Sequence, residues 1–140
     1  MVVLDTMPHW IIEGRADLEV LLGRVDVLLV NEEEVRMLAA ESDEATAAGI
    51  ARSLGPRWVV VKRGSRGACA YGGDERIEVE AVGVEAVVDP TGAGDAFAGG
   101  LVASLAEGRG LSAADLRQAL GVGVEMGARA VGAFSFAGLM

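Results

Sequence analysis

Val87-Val-Asp-Pro-Thr-Gly-Ala-Gly-Asp-Ala-Phe-Ala-Gly-Gly100 leads from an aliphatic pair, through a glycine-rich turn, into an apolar helix. A strand end followed by such a turn aims the unpaired N–H groups of the first helical turn, and the positive end of the helix dipole, at one point. That is an anion site. Glycine at 92 and 94 permits backbone angles and a close approach that a side chain would block. Asp95 places a carboxylate in the first turn, beside the bound phosphate, where it can take a proton from an attacking hydroxyl. By itself, Gly-x-Gly-Asp reads equally well as an acid complementing a helix dipole. Two rival phosphate motifs fail here: a Walker A loop needs Gly-Lys-Ser/Thr, and a dinucleotide fingerprint needs a third glycine where Phe97 stands.

Outward from this turn, short aliphatic runs alternate with longer amphipathic stretches, the pattern of βα units on a mostly parallel sheet. The fold class is therefore α/β. Strands are expected over Val2 to Asp5, Asp26 to Val30 (fully buried) and Arg57 to Lys62, with helices over Leu18 to Val25, Asn31 to about Ala40 and Glu44 to Leu54. Turns at Gly64 to Gly67 and Gly72 to Asp74 set off Ala68 to Tyr71 and Arg76 to Val82 as a small antiparallel flap, and Val87-Val88 reads as a strand end. Two helices follow, Gly92 to Leu105 and one capped at Ser112 and running to about Ala133, both expected to be buried. No repeat or linker divides the chain, and a single domain over residues 1–140 is expected.

Composition narrows the function. With 12 basic and 21 acidic residues the net charge is −9, which opposes nucleic-acid binding. Lys62-Arg63 with Arg66 stands out as a basic cluster against that background. One cysteine (Cys69) and one histidine (His9) exclude an internal disulfide, a Cys/His zinc cluster and a Ser-His-Asp triad, so a metal would be held by oxygen. No uncharged run is long enough to span a membrane, which needs roughly 20 apolar residues. No basic leader precedes Val2, so a cytoplasmic location is expected. Hydrophobic residues make up 51% of the chain, which calls for a large core or a covered surface.

Asp89-Pro-Thr-Gly-Ala-Gly-Asp-Ala-Phe-Ala-Gly-Gly100 closely resembles the second signature of the ribokinase-like (PfkB) carbohydrate and nucleoside kinases. The resemblance implies a three-layer α/β/α sandwich. It makes Asp95 the general base and the amides of Gly92, Ala93 and Gly94 the anion hole for the transferred phosphoryl group. Asn31-Glu-Glu-Glu34 is similar to the family's Asn-x-x-Glu motif, which implies nucleotide contact by Asn31 and a water-mediated Mg²⁺ role for Glu34; on its residues alone, this stretch reads first as a helix capping box. Lys62-Arg-Gly-Ser-Arg-Gly67 is similar to the turn that lies along the nucleotide, implying contacts from Lys62, Gly64, Ser65 and Gly67; unaided, it is a hairpin turn with solvated basic residues.

Three further implications follow. Asp89 and Thr91 match a monovalent-cation site, with Pro90 departing from the family's threonine, so K⁺ is an optional ligand beside ATP and Mg²⁺. Gly123 occupies the helix where relatives place an asparagine near the adenine, although Gly123, Gly127 and Ala128 by themselves read as close helix packing. The resemblance maps to the C-terminal half of such kinases, so the N-terminal region with the substrate-binding residues and β-lid is expected to lie outside this chain. Met1, followed at once by a strand, reads as a start within a fold. The partners implied are ATP and a small hydroxyl-bearing sugar or nucleoside, without nucleic acid or membrane. A bare sheet edge would also favour a second copy or a complementary N-terminal half.

Overall fold

A computed structural model gives the architecture of residues 1–83 and 92–132. Strands β1 (Val3–Asp5), β2 (Val27–Asn31), β3 (Trp58–Lys62), β4 (Ala68–Gly72) and β5 (Glu75–Val79) form one sheet in sequence order. The sheet is mixed. β1, β2 and β3 are parallel, with Leu28 opposite Val59 and Asn31 opposite Lys62. The links from β3 to β4 and from β4 to β5 are too short for a crossover and must reverse direction, which makes the expected antiparallel flap.

Residues 1–63 with 69–76 form one compact unit, and residues 64–68 with those described from 77 onward form a second. In the first unit, β2 and β3 are buried on both faces: Val27 to Val30 and Val59 to Val61 are all inaccessible to water, as a central parallel strand requires. Leu28, Val30, Val59, Val61, Cys69 and Tyr71 share one core cluster with residues of four helices: α1 (Pro8–Ile12), α2 (Arg15–Leu22), α3 (Glu32–Ala39) and α4 (Glu44–Ser53). Each helix lays a stripe on that core. Leu18 and Leu22 serve α2, Val35 and Leu38 serve α3, and Ala47, Ala48 and Ala51 allow α4 to lie close.

The helix α1 is not apparent from the sequence, because a five-residue helix with Pro8 in its first turn and only Ile11 buried leaves no periodic trace. The next helix, α2, begins at Arg15 rather than Leu18; Asp17 in its first turn and the Arg15–Glu19 ion pair at 2.6 Å stabilise the added turn. The second unit contains α5 (Ala93–Gly108) and α6 (Ala113–Val131), which pack against each other. Both helices were expected to be buried, but each buries only one face. On α6, Leu116, Ala119, Leu120 and Val124 point inward while Arg117, Gln118, Glu125 and Arg129 meet water.

Gly55 lies within the α4–β3 connection with φ +142°, and a Cβ there would lie 2.3 Å from the Leu22 carbonyl oxygen. Both the backbone angle and the space demand glycine. Gly55→Ala is expected to cost about 2 kcal/mol or more, read as a lower urea midpoint at an unchanged m-value.

Candidate functional site

The carboxyl ends of the three parallel strands carry the first cluster of polar side chains. Asn31 ends β2 and caps α3, its Oδ1 accepting from the Glu34 N–H at 2.8 Å while the Glu34 carboxylate accepts from the Asn31 N–H at 2.8 Å. The capping box read from the residues is therefore formed, and three acids, Glu32, Glu33 and Glu34, meet the positive end of the helix. Glu34 is buried at 5% exposure. That burial pushes its carboxyl above the usual carboxylate range; the Asn31 N–H and the charge of Lys62 pull it back, and Asp5 and Glu33 push it further up. Lys62 ends β3, and its Nζ lies 2.9 Å from Asp5 Oδ1 at the end of β1.

A second polar knot, not evident from the sequence, lies nearby in the same unit. Arg63 donates from Nε to both Glu44 oxygens at 3.0 and 3.2 Å and from Nη2 to the Tyr71 hydroxyl at 3.1 Å, and Nη2 also pairs with Glu44 Oε1. The Tyr71 hydroxyl donates to Glu44 Oε1 at 2.6 Å. Burial raises the Glu44 carboxyl, but the Arg63 and Tyr71 hydrogen bonds outweigh it and leave the group below its usual range. Burial, then the Glu44 contact, raises the Tyr71 phenol far above its ordinary value. The Arg76 guanidinium lies over the Tyr71 ring, 5.6 Å from its centroid. Residues this far apart in sequence leave no local signal.

In the second unit, Gly64 to Arg66 form a 3₁₀ turn closed by a bond from the Gly67 N–H to the Gly64 carbonyl at 3.1 Å. Ser65 is exposed on it, while Gly67 is buried, and a Cβ there would lie 2.0 Å from the Val79 carbonyl oxygen.

The glycine turn opens α5. Gly92 is its N-cap at φ +81°, no side chain caps the helix, and the first bond of the helix runs from the Ala96 N–H to the Gly92 carbonyl at 2.9 Å. The N–H groups of Ala93, Gly94 and Asp95 precede that bond and lack intrahelical acceptors. Gly94 and Asp95 are exposed, and a Cβ on Gly92 would meet no described atom within 4 Å. A helix start without a side-chain cap suits an anion. Asp89, Thr91 and the Val87-Val88 strand end lie outside the described residues.

At Gly123 the structure shows packing: a Cβ would lie 3.0 Å from the Phe97 carbonyl oxygen and 3.1 Å from its ring. Gly127 and Gly100 play the same part, with Ala93 O 3.3 Å and Met126 Cγ 2.9 Å from their virtual Cβ atoms. Among the described residues, no group of three or more His, Cys, Asp or Glu side chains could hold a metal, and no helix is long and apolar enough to cross a membrane. A magnesium ion, which keeps much of its water shell, needs no such cage, and Asn31 and Glu34 offer oxygens of the required kind.

A sequence model of the pfkB family carbohydrate kinases matches residues 1–137. The chain is 40% identical over 102 residues to the cytidine kinase of Thermococcus kodakarensis, covering 71% of this chain and 36% of that protein. It is 39% identical over 118 residues to the 2-dehydro-3-deoxygluconokinase of Thermoproteus tenax, covering 84% of this chain and 34% of that one. The crystal structure of aminoimidazole riboside kinase from Salmonella enterica, complexed with aminoimidazole riboside and an ATP analog, superposes with a TM-score of 0.85 at 27% identity, over 99% of this chain and 48% of that one. The chain thus spans about a third of the length of the curated relatives it matches and about half of the solved one.

Glu34 supplies a test of the strand-end environment. Because its carboxyl is raised in the folded state, the folded protein binds the proton more tightly than the unfolded chain, so stability falls as pH rises from 4.5 through the raised value. Glu34→Gln keeps the capping hydrogen bond and removes the titration. Thermal midpoints across that window are expected to fall less steeply with pH in the variant than in the parent.

Proposed function

The chain belongs to the pfkB family of carbohydrate kinases, with the ribokinase-like α/β fold, and from that premise we propose that its 140 residues are the C-terminal, nucleotide-binding and catalytic half of an ATP-dependent sugar or nucleoside kinase. The observation that carries this reading is the Gly92 turn: a helix start without a side-chain cap, with three amides that lack intrahelical acceptors and an exposed carboxylate in the same turn. In this reading the amides of Ala93, Gly94 and Asp95, with Gly92 setting their direction, hold the transferred phosphoryl group. Asp95 accepts the proton of the acceptor hydroxyl as the new O–P bond forms and the bond between the γ-phosphorus and the β–γ bridging oxygen breaks, ADP carrying away the electron pair.

Asn31, Lys62, Gly64, Ser65 and Gly67 line the nucleotide, with Lys62 as a point charge on its phosphates. Gly123 supports the base side only by allowing close helix packing. Glu34 acts on Mg²⁺ through water, and the bound ion would neutralise charge on the phosphates. Asp89 and Thr91 hold K⁺ where it is bound. The acceptor is a small hydroxyl-bearing molecule presented by an N-terminal half, or by a second copy of the chain, and the site of action is the cytoplasm.

A second reading is favoured by the share of relatives that the chain covers, 48% of the Salmonella kinase: a nucleotide-binding module that turns over nothing, since phosphoryl transfer needs both substrates held in line. Calorimetry with ATP and Mg²⁺, run beside a coupled assay for ADP over a panel of sugars and nucleosides, separates the two. The kinase reading expects binding with turnover, and Asp95→Asn lowering turnover at least about 100-fold while ATP affinity stays within about twofold. Turnover that survives Asp95→Asn would remove Asp95 as base. Binding without turnover for any acceptor favours the module.

A further inference from the structure

Asp5 and Lys62 meet across the end of the strand that separates them. Asp5 stands in register with Leu29, and Lys62 with Asn31, so their 2.9 Å contact spans the carboxyl end of β2. In open α/β sheets this is the edge at which ligands bind. The two side chains keep 30% and 18% of their exposure, so water screens the pair, and its contribution to folding is small. Asp5 lies on β1, the outermost strand described, and is exposed.

We propose that Asp5 is a placeholder anion for Lys62, holding its ammonium at the strand ends until a nucleotide phosphate takes the carboxylate's place. The inference rests on the reading of Lys62 as a phosphate-binding residue and adds a positioning residue to it. A weak, screened carboxylate contact yields to a triphosphate bearing several charges. A further feature marks the same strand ends. The Thr6 hydroxyl, next to Asp5, is buried and has no hydrogen-bond partner among the described residues. The placeholder keeps a lysine among acids from collapsing onto the wrong partner while the site is free of nucleotide.

The test titrates ATP with Mg²⁺ into the 140-residue chain and its Asp5→Asn, Asp5→Glu, Lys62→Met and Asp5→Asn/Lys62→Met variants, with thermal midpoints measured without nucleotide. Asp5→Asn is expected to tighten ATP binding about three- to fivefold, Asp5→Glu to keep the parent affinity, and the gain to vanish in the Lys62→Met background. A residue that served only the fold would shift the thermal midpoint and leave these affinities alone. Unchanged or weaker binding by Asp5→Asn, or an equal gain without Lys62, overturns the placeholder while leaving the nucleotide site standing. A parent chain that binds no ATP overturns the nucleotide reading, and the placeholder with it; parent affinity retained by Lys62→Met overturns the phosphate role of Lys62.

Discussion

Burial of β2 and β3 on both faces governs what the first unit can do. Val27 to Val30 and Val59 to Val61 are closed to water, so no polar side chain can be placed along them without a severe desolvation cost. Chemistry is displaced to the strand ends. Because the strands are parallel, their ends coincide at one edge, and register sets Asn31 opposite Lys62 with Asp5 one strand away. The polar cluster is thus a product of topology: three residues distant in sequence become neighbours because apolar runs of matched length stop together.

The helix starts divide into two kinds by how their amides are satisfied. Asn31 and Ser112 close capping boxes on α3 and α6, and Asp43 accepts from the Thr46 N–H on α4, so those termini are self-sufficient. The starts of α1, α2 and α5 have no such side-chain partner, and α5 differs from the other two in having as N-cap a glycine in the left-handed region. A helix that begins without a cap forgoes a stabilising interaction of about 1 kcal/mol, and at α5 the kinase reading proposed above would have an external anion supply it.

Much of this was legible because it is local. The 3.6-residue spacing of Ala47, Ala48 and Ala51, the aliphatic runs of β2 and β3, the glycines at 64, 67 and 73 and the Ser112–Asp115 cap each announce an element within a few residues. The Gly92 turn was legible for the same reason. What escaped was either too short or too distant. The helix α1 has one buried residue, and the Arg63–Glu44–Tyr71 knot and the Asp5–Lys62 pair join residues that only the folded sheet brings together. The amphipathic character of α6 was misread because its small residues look like a buried helix on every face, whereas Arg117, Glu125 and Arg129 place one face in water.

The glycines that let α5 and α6 touch have a consequence for how such a turn changes over generations. Gly127 lies against the Ala93 carbonyl and Gly123 against that of Phe97, so α6 abuts the backbone of the turn that opens α5. Any side chain gained at 127 would push on that carbonyl and swing the first helical turn with it. A constraint on the geometry of that turn therefore extends to the facing helix, and positions 93 and 127 are expected to drift in step among descendants of this sequence, a heritable coupling transmitted by bare backbone contact.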